Sequence, residues 1–310
     1  MESHIPVLLQ EMLQYLSPKD GMTYIDATFG AGGYSKAILN HANCFVYALD
    51  RDSDVKIYAE PLILKYSSRF KFVHGEFGEL NQAIPNIPDN NLDGIVFDVG
   101  VSSMQLSTGH RGFSFTHEGK LDMRMNTDNQ LTAYDVVNRY TEQELSHIIF
   151  TYGGERKSRK IANYIVNARQ SSPIETTKAL SDIIVQSVGR YHDSIHPATR
   201  TFQAIRIIVN DEMGQLTRGI DLALNLVRVG GKVVVVTFHS LEDGIVKDIF
   251  VKACGKRVHE NKYRQFQEPE DVGNKKFALV VKGVVHPTQN EVKANPRARS
   301  AKLRAIQRVS

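Results

Sequence analysis

With 310 residues, 42% of them hydrophobic and 23% charged, the chain can hold one large or two ordinary domains and has the composition of a soluble globular protein. No apolar run approaches the roughly 18 residues of a bilayer span, and Cys44 and Cys254 supply neither a disulfide framework nor a zinc site. A net charge of +4 is too small to name a partner by itself. The opening Met1-Glu2-Ser3-His4-Ile5-Pro6 has no basic region followed by an apolar stretch, so a secretory signal is not expected and cytoplasm is.

The first third alternates strand and helix patterns. Strands are predicted near 23–26, 45–50, 70–74 and 92–98, each β-branched or aromatic and bounded by turn residues. Helices are predicted at about 7–16, 34–42, 52–66 and 78–84, and such alternation implies a parallel sheet with right-handed crossovers. Residues 107–128, rich in Gly, Ser, Thr, His and Arg, read as a long functional loop. From about 130 to 192 the apolar spacing is helical only, as in Val136-Val137, Tyr140, Leu145 and Ile148-Ile149. The α/β rhythm then returns: helices over Gln203 to Val227, a turn at Gly230-Gly231, a buried strand over 232–238, a helix from Glu242 to Cys254 and a closing strand over 277–285. The predicted architecture is α/β, one sheet built from residues 1–109 and 210–310, with a mainly helical substrate-recognition domain inserted at 110–209.

Three of the predicted strands end in a carboxylate: Asp26, Asp50 and Asp98. The first is followed at once by Thr28-Phe29-Gly30-Ala31-Gly32-Gly33, a turn in which glycine lets backbone approach a ligand. Ligands of doubly wound sheets bind outside the carboxyl ends of the strands. Three acids there call for a ligand with positive charge and hydroxyls. S-adenosylmethionine, with its sulfonium, ammonium and ribose diol, meets that description, and the fold is then a Rossmann-like methyltransferase sheet. Asp50, about 20 residues beyond the glycines, is placed for the ribose hydroxyls. A nicotinamide enzyme would share Asp50, but its pyrophosphate would be repelled by Asp26 and Asp98, and the glycine spacing is not G-x-G-x-x-G. Phe77, just after the third strand, can lie against adenine or belong to the core. The segment after Asp98 is where amino-methyltransferases grip the target amine. Acceptors such as Asp98 and nearby carbonyls would hold the two protons of a cytosine amine and expose its lone pair, so Asp98 is the catalytic candidate and no strong general base is required.

The segments His4-Ile5-Pro6-Val7, Thr28 to Gly33, Asp98-Val99-Gly100-Val101-Ser102-Ser103, Arg111-Gly112-Phe113-Ser114-Phe115 and Leu121-Asp122-Met123-Arg124-Met125 fall in one order along the chain. They continue with His196 to Ala204, Phe238-His239-Ser240-Leu241-Glu242-Asp243 and Asn295-Pro296-Arg297-Ala298-Arg299-Ser300. In these the chain resembles, over essentially its whole length, the bacterial 16S ribosomal RNA cytosine-N4 methyltransferases. The resemblance implies methylation of a decoding-centre cytidine, in an assembled or maturing small subunit, with donor contacts at Gly32, Gly33, Tyr34, Asp50, Phe77, Asp98 and Gln105. Many members carry His where Tyr34 stands, which implies a backbone contact there. Members often carry Asp where Asn126 stands and Arg where Gly244 stands.

Cations cluster at Arg156-Lys157-Ser158-Arg159-Lys160 and over 292–310, where Lys293, Arg297, Arg299, Lys302, Arg304 and Arg308 occur with no acid. Beside a methyl-donor site they are expected to track phosphates. Arg111, Arg124, Arg200 and Arg206, with Arg297 and Arg299, are the candidates for the RNA surface. Ser240-Leu241-Glu242-Asp243 reads as a helix capping box with Ser240 as cap, not as a hydrolase cluster. The eleven histidines show no metal-ligand spacing, so no metal is expected. Two rivals stand: a ribosome-assembly factor that binds RNA and donor without turnover, and a nicotinamide oxidoreductase.

Overall fold

A computed structural model describes residues 6–85, 87, 90–189, 195–256 and 275–310. His4 and Ile5 of the first matching segment lie outside them. In chain order the elements begin with α1 (Leu9–Leu16), β1 (Thr23–Asp26), α2 (Gly33–His41), β2 (Phe45–Asp50), α3 (Lys56–Lys65), β3 (Phe70–His74), α4 (Leu80–Ala83) and β4 (Leu92–Asp98). Six helices follow: α5 (Ser103–Ser107), α6 (Ala133–Arg139), α7 (Glu142–Gly153), α8 (Ser158–Ser171), α9 (Thr177–Val188) and α10 (Ala198–Val209). The chain ends with α11 (Glu212–Leu226), β5 (Val227–Thr237), α12 (Ser240–Ala253), β6 (Phe277–Leu279), α13 (Gln289–Ala294) and β7 (Lys302–Arg308).

Two compact units emerge, one of Met1–Gly100 with Met213–Ser310 and one of Val101–Glu212. In the first, seven strands run in the order β3-β2-β1-β4-β5-β7-β6. The five from β3 to β5 pair in parallel and β7 is antiparallel to both its neighbours. The order reverses between β1 and β4, which puts the ligand crevice at the carboxyl ends of those two strands. Ile95-Val96-Phe97 and Val233 to Val236 are fully buried, as a sheet covered on both faces requires.

β5 starts earlier than its composition suggests. It runs through Gly230 and Gly231, with a register shift where it meets β4, and a Cβ on Gly231 would stand 2.7 Å from the Leu92 carbonyl. The glycines there allow close strand approach instead of ending the strand.

The closing strand of the sequence reading divides. Phe277–Leu279 pairs as β6, Val285 makes a single bridge to Leu303, and the strand beside β5 is β7, drawn from the basic 292–310 stretch expected to track phosphates. Leu303, Ala305 and Ile306 of β7 are buried, and its cations are held by the protein. Arg304 Nε and Lys302 Nζ stand 2.7 and 3.2 Å from the Asp243 carboxylate, and Arg308 Nη1 donates to the Val227 carbonyl. Burial alone would raise the Asp243 carboxyl, but those two cations hold it below its ordinary range. The cap of α12 also differs by one residue: the His239 ring and the Glu242 side chain form the capping box, and Ser240 is the first helical residue.

The second unit packs Phe113, Leu121, Met123 and Met125 of the 107–128 segment with Val136, Leu145, Ile149, Ile161, Leu180 and Phe202 of its helices. That segment is tightly built. A Cβ on Gly119 would lie 2.0 Å from the Gly109 carbonyl, and Asn210 clips the stretch from Met123 to Met125 by accepting from Met125 N and donating to the Met123 carbonyl, both at 2.7 Å. Among the described residues no helix is long and apolar enough to cross a membrane.

Placing β7 inside the sheet has a measurable consequence. Leu303→Ala should cost about 2–5 kcal/mol in urea unfolding, whereas Arg299→Ala, on the exposed stretch before β7, should stay within about 0.5 kcal/mol.

Candidate functional site at the strand ends

β1 and β4 lie side by side, so Asp26 and Asp98 close neighbouring strands. The protein treats them differently. Asp26 Oδ2 accepts from Ser35 N at 3.0 Å and Ser35 Oγ at 2.7 Å, and Oδ1 accepts from Thr28 N at 3.3 Å. This carboxylate ties β1 to the first turn of α2, where N–H groups lack helical partners. It is therefore enclosed, with both oxygens engaged by the protein instead of open to a ligand. Asp98 is held by its backbone, whose N–H donates to Thr28 Oγ1 at 2.6 Å, while its side-chain Oδ1 is buried without a hydrogen-bond partner among the described residues.

A buried acceptor left open is costly unless something else meets it. The electrostatics reflect that cost. Burial first, then the charges of Asp26 and Glu242, push the Asp98 carboxyl up to about 8. Burial also pushes Asp26 up to about 6, its hydrogen bonds from Ser35 and Thr28 limiting the rise. Asp50 is raised as well, by burial, against the backbone donors Asp52 N at 2.9 Å and Gly30 N at 2.7 Å.

The Gly30 bond to Asp50 ties the glycine turn to the end of β2. Gly30 and Gly32 have φ of +52° and +77°, and a Cβ on Gly33 would stand 2.3 Å from Pro6 Cγ. The turn is thus glycine-rich partly for conformational reasons and partly because Pro6 covers it. Tyr34 is buried, and its hydroxyl donates to the Val7 carbonyl. With the side chain committed there, a ligand contact at this position falls to the backbone. Phe77 is buried edge-to-face on Phe97, with centroids 5.6 Å apart, and a Cβ on Gly219 would touch its ring at 2.6 Å. Of the two readings of Phe77, the ring follows the core one.

The remaining candidates belong to the other unit or to the segment before β7. Gln105, in the second unit, is buried, and its Oε1 accepts from Ser102 N in the capping box of α5. Arg111 donates to the carbonyls of Arg124 and Met125, Arg124 pairs with Asp122 and donates to the carbonyls of Thr127 and Asn129, and Arg206 makes a two-pronged bond to Glu212. These three guanidinium groups brace the second unit. Arg200 reaches Glu155 only at 3.5 Å and its side chain is 42% exposed. Arg297 and Arg299 are exposed in the short helical turn before β7. Sequence reasoning missed Ser35, Thr28 and Glu242, which set the charge state of the rim; the hydroxyls carried a signal only through their places two residues and nine residues after Asp26.

The donor chemistry fits this arrangement. A cationic sulfonium or ammonium near Asp98 would meet an open acceptor in a low-dielectric site, and Asp50 has lone pairs left for a diol.

The model of the MraW methylase family matches residues 1–309. A protein named Ribosomal RNA small subunit methyltransferase H, from Wolbachia sp. subsp. Drosophila simulans (strain wRi), is 50% identical over 308 residues, covering 99% of this chain and 100% of its own. One of the same name from Ehrlichia canis (strain Jake) is 49% identical over 308 residues, with the same coverage. Among solved structures, an rRNA methylase from Streptococcus thermophilus aligns over 99% of this chain and 100% of its own with a TM-score of 0.43 and 9% identity. A superposition that loose supports no functional statement.

The raised Asp98 carboxyl sets a pH dependence of stability. In the unfolded chain Asp98 ionises near its ordinary value of 3.8, and in the folded one near 8. Its contribution is therefore full below about pH 4 and is lost progressively up to about pH 8, since folding then requires holding a proton. Asp98→Asn should raise the melting temperature of the donor-free protein at pH 8 and leave it nearly unchanged at pH 4, as scanning calorimetry at the two pH values would show.

Proposed function

Because the chain belongs to the MraW methylase family, we propose that it is the cytoplasmic enzyme that moves a methyl group from S-adenosylmethionine to the exocyclic N4 of a decoding-centre cytidine of 16S ribosomal RNA, in an assembled or maturing small subunit. The observation that carries the reading is the buried Oδ1 of Asp98, without a hydrogen-bond partner among the described residues, at the switch point of the sheet. The names of the curated relatives, ribosomal RNA small subunit methyltransferases, support the substrate class.

S-adenosylmethionine supplies an electrophilic methyl on a sulfonium whose positive charge vanishes as the methyl leaves. The backbone of Gly30, Gly32, Gly33 and Tyr34 would let the donor approach closely, and Asp50 would accept hydrogen bonds from its ribose hydroxyls. The segment around Phe77 would border the adenine. Asp98 offsets the cationic charge and, through Oδ1, accepts a hydrogen bond from the target amine. That bond draws the amine nitrogen out of conjugation with the ring and aims its lone pair at the methyl. The nitrogen loses a proton once the C–N bond has formed, so no strong base has to act beforehand. A base edited at its exocyclic edge has to leave its stack. The second unit recognises the RNA, and Arg200, Arg297 and Arg299 hold flanking phosphates.

Incubation with labelled donor and immature small subunits should place label in the RNA at cytidine N4, located by mass mapping of nucleotides. Asp98→Asn should abolish the label and keep RNA binding. Wild-type protein that binds donor and leaves the RNA unlabelled would favour the assembly-factor reading instead.

Donor affinity should climb with pH from about 6 to 8, by up to about tenfold per unit, and then level off, because ionised Asp98 is the form that attracts a sulfonium. S-adenosylhomocysteine, a neutral thioether, should show a shallower climb by calorimetry.

A further inference from the structure

The arginines of the second unit divide by whether the protein answers their charge. Arg111, Arg124, Arg169 and Arg206 are bonded within the unit, and Arg139 and Arg200 face carboxylates. Arg156 and Arg159 make no hydrogen bond or ion pair with any described residue. Both line a groove of about 560 Å³ between α7 and the start of α8.

The helix register builds the rest of that groove. Gln143, Ser146, His147 and Phe150 recur at the spacing of one helical face on α7. Gly154 then ends α7 in a left-handed conformation, φ +64°, and the chain turns directly into the basic run 156–160. Phe150 is 60% exposed, although Leu145, Ile148 and Ile149 of the same helix are buried. Ser146 and Ser158 share a hydrogen bond of 3.3 Å within the groove, and Glu142 at its end pairs with Asn163.

We propose that this groove is a second RNA-binding site, which takes an unstacked nucleotide of the substrate RNA with its base on Phe150 and its phosphate on Arg156 and Arg159. An exposed aromatic face beside unanswered arginines is the chemistry by which single strands are held. The volume is within the roughly 300–1,000 Å³ of small-ligand sites, enough for one nucleotide. The site shares no residue with Arg200, Arg297 and Arg299, and it rests on the RNA-methylation reading.

The test uses the full chain and immature small subunits. Arg156→Ala/Arg159→Ala should raise KM for the subunit about tenfold or more with kcat little changed. The same pair should lower the salt slope of 16S RNA binding by roughly 0.7 for each phosphate no longer held. Phe150→Ala should weaken RNA binding about fivefold or more, and Phe150→Trp should restore it. Arg139→Ala, a loss of positive charge elsewhere on the unit, should do neither, and calorimetry should give wild-type affinity for S-adenosylmethionine throughout. Ultraviolet cross-linking should attach an RNA nucleotide to the peptide spanning 142–160.

Wild-type methylation with unchanged KM and cross-linking in the variants would overturn the groove and leave the methylase reading standing. A raised KM without any RNA cross-link, and with unaltered binding of purified 16S RNA, would mean that the groove meets a ribosomal protein, which also overturns it. If the wild-type protein neither methylates nor cross-links, both readings fall.

Discussion

Asp26 and Asp98 close adjacent parallel strands, and burying two carboxylates side by side is a cost around which the end of the sheet is organised. The protein relieves it unequally. Ser35 and the Thr28 amide surround Asp26, while Thr28 Oγ1 grips only the backbone of Asp98. The effect is a fixed anion that stabilises its own helix and beside it a carboxyl whose charge is deferred. A cation arriving from outside is the missing half of that arrangement, which is why a phosphodiester-bearing cofactor fits poorly and a sulfonium fits well.

The sequence made the parallel half of the sheet legible because β1 to β4 are short apolar runs ending in turn residues or acids. It was less legible where two signals competed. Residues 302–308 carry three cations, so charge masked the alternation of Leu303, Ala305 and Arg304 that makes them a strand. The cations reach Asp243 and a backbone carbonyl, partners that no local pattern reveals. At the site, residue identities were legible and their states were not. Asp98 and Asp26 look alike in sequence, and only the positions of Ser35 and Glu242 separate them. The same holds for the arginines: Arg124 and Arg156 are equally basic, but Asp122 stands two residues before one of them and no described residue answers the other.

In the second unit, the long segment 107–128 gains its order from glycines that let backbone cross backbone and from Asn210. A loop so constrained behaves as a rigid part of the domain, and arginines that brace it are unsuited to adapting to a ligand. Helix faces whose side chains remain uncommitted are the parts of that unit left free to meet a ligand.

The position of β7 also bears on how the chain is made. Residues 101–212 form a contiguous unit that can close once they emerge, but the sheet lacks an interior strand until residues 302–308 exist. At cellular synthesis rates the interval from residue 237 to residue 308 is roughly 4–14 seconds. Throughout it, the Val233–Val236 edge of β5 is an apolar strand awaiting its partner. The nascent protein therefore passes through a stage in which one chain carries a helical module and a sheet edge without its partner strand, a target for chaperone capture.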